Sequence, residues 1–220
     1  MARAGLQRSL EFRTWGGRRS GAGRKPAGAT PGLPHRARPI HDRRLPVHVT
    51  MRAVRGLPSL RARGVFPAVR RGLAAASRAE FRIVHFNVQS NHVHLLIEAE
   101  RTRALARGMQ GVAIRLAKTI NRTLGRSGRI WSDRYYSRAL RTPREVRNGI
   151  IYVFLNGRKH RVAGPGIDPC SSGAWFRGWR QRIETPASAA PVAQPRTWLL
   201  SVGWRRSGPI GLDDGPKDTG

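Results

Sequence analysis

The chain is poor in acid. Of its 220 residues, 12 are Asp or Glu against 42 Lys or Arg, a formal net charge of +30. Such a surface repels cationic ligands and attracts polyanions, of which nucleic acid is the default. Lysine is also scarce: 4 of the 42 basic residues, the other 38 being Arg. GC-rich coding accounts for Arg in place of Lys, but not for so few acids. The lone cysteine, Cys170, excludes an internal disulfide and a cysteine-based zinc site, and fits a reducing cytoplasm. The longest apolar run of the mid-chain, Ile150 to Leu155, is far too short to span a bilayer, so no membrane partner is expected. The first residues lack the apolar core of a secretory signal. No phosphate-cradling glycine loop of the P-loop type is present.

Glycine, proline and charge divide what is there. Residues 1–44 carry Gly16-Gly17-Arg18-Arg19-Ser20-Gly21 together with Pro26, Pro31, Pro34 and Pro39. Little in them can form a core, and they read as a disordered basic arm, either a DNA-binding tail or a solvated leader. Residues 45–162 hold the regular patterns. Residues 163–220 turn back to Gly, Pro and Ser but carry Trp175, Trp179, Trp198 and Trp204. That many indoles predict a C-terminal extension partly packed on the core, with 213–220 disordered.

Within 45–162, Val47 to Arg52 alternates and is β-branched, a first strand. Val69, Leu73 and Ala76 recur at helical spacing within 67–79. Phe81 to Val88 and His92 to Glu98 read as a hairpin turning at Ser90-Asn91. Leu105, Met109, Val112, Ala113, Leu116, Ile120 and Leu124 form one stripe of a helix over 103–124. One or two strands are expected between Arg129 and Leu140. Thr142-Pro143-Arg144-Glu145 opens a helix, with Thr as N-cap, Pro at N1 and Glu at N3. That helix is expected to end near Asn156, with Gly157 as its stop. The order β-α-β-β-α-β-α predicts an α+β fold: an antiparallel sheet with helices packed on one face, ferredoxin-like, or split βαβ.

Chemistry concentrates at Asn91-His92-Val93-His94-Leu95-Leu96-Ile97. Residues i and i+2 of a strand share a face, so His92 and His94 aim both imidazoles at one spot. Downstream, Tyr152 and Asn156 stand one helical turn apart on a common face. Two imidazoles and an amide carbonyl form an uncharged set that leaves positions for phosphate oxygens. Mg²⁺ or Mn²⁺ suits such a site, Mn²⁺ being the better match for imidazole. The bland alternatives are a satisfied core histidine and a half-buried helix aromatic. His48 and His85 are read as structural. Tyr135 and Tyr136 are rival nucleophiles, but lack an amide four residues on.

The run Val88 to Glu98 resembles the His-hydrophobic-His signature of the HUH-type single-tyrosine transposases, and of their REP-associated branch in particular. The resemblance extends to Arg107-Gly108-Met109-Gln110-Gly111, Asp133-Arg134-Tyr135-Tyr136, Arg138 to Pro143 and Tyr152 to Asn156. It implies that 45–162 is an HUH-type catalytic domain in which His92, His94 and Asn156 bind the metal. Tyr152 would attack single-stranded or hairpin DNA. Compact insertion-sequence relatives usually carry Gln at the position of Asn156, whereas the REP-associated branch tolerates Asn.

The implied reaction forms a 5′-phosphotyrosine, releases a 3′-OH, and is reversed by a second 3′-OH without ATP. DNA contacts are expected from Arg107, Arg115, Arg134, Arg138, Arg141, Arg158 and Lys159. A bacterial, cytoplasmic, nucleoid-associated protein is implied, as a monomer or homodimer. Two other readings stay open: a relative that holds DNA without cutting it, and an RNA-binding protein.

Overall fold

The computed structural model describes residues 39–159 and 166–215, which fall within one unit of the chain spanning 35–220. The expected arm, but for residues 39–44, and the last five residues lie outside the described residues. Four strands form one antiparallel sheet: β1 (Val47–Arg52), β2 (Phe81–Val88), β3 (His92–Ala99) and β4 (Tyr136–Ala139), in the order β2-β3-β1-β4. With α1 (Phe66–Ala74) and α2 (Thr102–Thr123) as crossovers, this is the split βαβ arrangement. No helix among the described residues is long and apolar enough to cross a membrane.

Alternation along the strands sorts two cores. Val47, Val49 and Met51 of β1 share a face with Val93, Leu95 and Ile97 of β3, and pack with Val69 and Leu73 of α1 and Met109, Leu116 and Ile120 of α2. The sequence pattern places helices on one face only. In the structure α3 (Pro143–Lys159) covers the other face, with Val146, Ile150, Val153 and Phe154 against Val84 and Leu96. Helices therefore lie on both faces. The cause is visible in β3, where Leu95-Leu96-Ile97 leaves an apolar side chain on each side of the sheet. A β-bulge between Ile83 and His85 sets both Val84 and His85 opposite Leu96, which thickens that second face.

Thr142 Oγ1 accepts from Glu145 N at 3.1 Å and so caps α3. Glu145 reaches back to Arg141 N at 2.5 Å, and this bond, helped by Arg138, holds its carboxyl below the usual range. The helix does not stop at Gly157, which is buried inside it. Packing there offsets the roughly 1 kcal/mol cost of a helical glycine.

Past residue 165 the chain folds over α3. A 3₁₀ turn (Gly173–Trp175), α4 (Trp198–Ser201) and a second 3₁₀ turn (Gly203–Ser207) bring Phe176, Trp179, Leu200, Trp204 and Ile210 into the second core. Trp198 stays 49% exposed. Residues 213–215 are described, and Asp214 accepts from Arg147 at 2.9 Å.

Two buried carboxylates fasten this segment to the sheet. Glu98, fully buried on β3, pairs with Arg82 at 3.1 Å and accepts from Arg196 N, Thr197 N and Thr197 Oγ1 at 2.8–2.9 Å. Asp168 takes both guanidinium nitrogens of Arg61 at 2.8 Å, and Asn87 Nδ2 at 3.1 Å. Glu98→Ala leaves Arg82 and the Thr197 donors buried without their acceptor. The expected loss is about 3–5 kcal/mol of unfolding free energy by urea titration.

His85 packs edge-on against Phe154 and Phe176, at 5.0 and 5.4 Å between ring centroids. Burial pushes its pKa down from 6.5 to about 3, so the folded protein keeps it neutral. The unfolded chain takes up the proton near pH 6.5. This contribution to stability is therefore intact above that pH and is lost progressively as the pH falls from 6.5 towards 3. The expected slope from this one group is at most about 1.4 kcal/mol per pH unit. Urea midpoints between pH 7 and 5 should fall less steeply in His85→Leu than in the parent.

Candidate active site

The register of β1 on β3 sets Thr50 opposite His94 and Arg52 opposite His92, and places His48, Thr50 and Arg52 on the face that α3 covers. Tyr152 sits at the margin of the buried stripe of α3 and is half-buried. Four rings meet there. His92 and His94 lie 4.6 Å apart between centroids, at 85°. Tyr152 stands edge-on to His94 at 5.0 Å and to His48 at 5.5 Å. His48 and His94 stack at 5.3 Å.

The nitrogen partners are asymmetric. His94 Nδ1 lies 3.1 Å from Thr50 Oγ1 and 3.3 Å from His48 Nε2. His92 Nδ1 lies 2.7 Å from Asn91 Oδ1. Both rings are thus held through Nδ1, which makes Nε2 the donor towards any cation on that face. Burial, and next Arg138 across the β1–β4 pair, lower the pKa of His48 to about 4. A neutral His48 has a lone pair to accept from His94 Nδ1–H, and that proton position leaves the His94 Nε2 lone pair to a metal.

The expected residues do not all converge. His92, His94 and Tyr152 do. Asn156 follows Tyr152 by one turn in α3, but its side chain lies outside the described residues, as do those of Arg158 and Lys159. Among the described residues no group of three or more His, Cys, Asp or Glu is placed to hold a metal ion. Two imidazoles and an amide are a different donor set, and the paired Nδ1 contacts suit it.

Arg138 lies on the histidine face, opposite His48, and donates to Glu145 at 3.0 Å. Arg141 adjoins the start of α3, and Arg134 is exposed just before β4. Arg107 and Arg115 belong to α2, on the other side of the sheet, where they line a pocket beside Phe81. They cannot reach the histidines from there. Tyr136 pairs with Thr50 and is 54% exposed, while Tyr135 packs against the first core.

His48 is the residue that sequence reasoning assigned to the fold and the structure puts in the cluster. Its signal was the alternation of His48, Thr50 and Arg52. What the alternation lacked was the identity of the neighbouring strand.

Residues 69–147 match the family model described as transposase IS200 like. The match covers about a third of the chain. That segment includes His92 and His94 and ends five residues before Tyr152. Among solved structures the chain is similar to a REP-associated tyrosine transposase bound to a REP hairpin. The likeness is at 16% identity and a TM-score of 0.49, over 60% of this chain and 76% of the other. No curated protein matches the chain.

Proposed function

We propose that the protein cuts and rejoins single-stranded DNA, of hairpin or repeat-associated kind, with Tyr152 as nucleophile. The observation that carries the reading is the packing of a half-buried tyrosine ring against two histidines from neighbouring strands, one of them, His94, within the segment that matches the IS200-like transposase model, in a chain of net charge +30. A surface that only binds nucleic acid has no need of stacked, half-buried imidazoles.

In this reading Tyr152 Oη attacks the phosphorus of a phosphodiester. One P–O bond forms to the tyrosine, one breaks to the departing 3′ oxygen, and the phenol's proton leaves as that oxygen takes one up. The product is a 5′-phosphotyrosine. A second 3′-OH reverses the step, so the bond energy is kept and no nucleotide triphosphate is consumed. His92, His94 and Asn156 would hold Mg²⁺ or Mn²⁺, which when bound supplies Lewis-acid charge at the scissile phosphate. Arg138, opposite His48, adds positive charge on the same face. His48 and Thr50 orient His94 rather than touch the DNA. The protein would act on a bacterial chromosome, in the cytoplasm.

Labelled single-stranded DNA from the repeats flanking the gene, incubated with protein and Mn²⁺ or Mg²⁺, should give a covalent adduct on denaturing gels. Tyr152→Phe should abolish it. An adduct that persists in the variant overturns the assignment, and tight binding without any adduct leaves a protein that holds DNA without cutting it.

The double variant His48→Phe/Thr50→Val removes both Nδ1 partners of His94. Mn²⁺ affinity by titration calorimetry should fall about 10–100-fold, the usual effect of losing the groups that orient a metal-binding histidine.

A further inference from the structure

A second strongly charged place lies away from the histidines, lined both by residues of the segment that matches the transposase model and by residues on either side of it. It is a groove between the chain entering β1 and the C-terminal segment, closed at one end by the start of α3. Arg43, Arg44, Arg141, Arg196 and Arg206 line it together with Trp198. Glu100 is the acidic residue of its lining, and it is engaged by Arg82 at 2.8 Å. Among the described residues no carboxylate forms an ion pair with any of the five arginines. Five guanidinium groups that converge in excess over the nearby carboxylates cost energy that a bound polyanion returns.

The groove also carries a flat surface. Trp198 is 49% exposed at the head of α4, whereas Trp179 and Trp204 of the same segment are buried and Trp175 is half-buried. The Arg206 guanidinium lies over the Trp198 ring, 4.9 Å from its centroid. An exposed indole layered with a guanidinium is a platform on which bases stack. The cavity measures about 660 Å³. That is the range of sites that enclose one small organic molecule, and too small to admit a duplex.

We infer that this groove binds single-stranded nucleotides flanking the DNA that Tyr152 attacks, phosphates on the arginines and a base on the Trp198–Arg206 stack. The identity of the ligand as DNA rests on the function proposed above. Geometry favours a shared substrate. The groove begins at Pro143, nine residues before Tyr152 on the same helix, about 14 Å along its axis. The anchoring is rigid, because the Thr197 and Arg196 amides beside Trp198 are fixed to buried Glu98.

The test is fluorescence anisotropy with two labelled DNA hairpins, one carrying single-stranded extensions on both sides and one blunt. In Trp198→Ala/Arg206→Ala, affinity for the extended hairpin should fall about tenfold, with the blunt hairpin unchanged. Trp198→Phe keeps a stacking surface and should retain most of the affinity. Arg196→Ala should lower the salt slope of log K on the extended hairpin by about 0.7.

Equal losses on both hairpins, or no loss on either, overturn the inference. So does preferential protection of Trp198 by single-stranded RNA of the same sequence. Should the double variant fail to melt cooperatively, Trp198→Phe and the Arg196→Ala salt slope decide alone. Adduct formation by the parent is scored separately, so a protein that makes no adduct but still reads the extensions keeps the groove and loses the nuclease.

Discussion

The pairing of β1 between β3 and β4 is the constraint on which the rest depends. It sets Val47, Val49 and Met51 into the first core, and the same period of two sends His48, Thr50 and Arg52 to the opposite face. A slip of one residue would exchange these sets, putting His48, Thr50 and Arg52 among the aliphatics of the first core and the valines on the histidine face. The hydrophobic core and the histidine cluster are thus two consequences of one register. The precision of the site comes from the sheet rather than from loops.

The second face is unusual in what it buries. Arg82 and Glu98, Asn87, His85 and His94 all point to the side covered by α3 and the C-terminal segment. Buried charges are tolerated only when paired and fully hydrogen-bonded, and Glu98 and Asp168 meet that demand by recruiting donors more than 60 residues away in sequence. Those two carboxylates hold the C-terminal segment against the sheet.

The elements themselves were legible. Val47 to Arg52 and Phe81 to Val88 are strands at the residues their alternation and branching indicated, and Thr142-Pro143-Arg144-Glu145 opens a helix as its capping pattern requires. Boundaries were weaker where packing overrode local preference: the first helix stops at Ala74, and Gly157 lies inside a helix because it is buried there. The placing of all helices on one face failed because Leu96 and Val84 were not weighed as a second apolar surface. His48 was missed for a related reason, since no local signal says which strand will lie alongside.

By itself, then, the sequence determined the periodicities, the caps, the shared face of His92 and His94, and a charge that seeks polyanions, because each follows from residues within a turn or two of one another. Only the tertiary structure decided that His48 and Thr50 hold His94, that Tyr152 lies against those rings, and that arginines from residues 43 to 206 meet around an exposed Trp198. Those meetings depend on strand order and on how far-separated segments cover one face of a sheet. Both are set by the burial of whole surfaces, which no short stretch of chain contains.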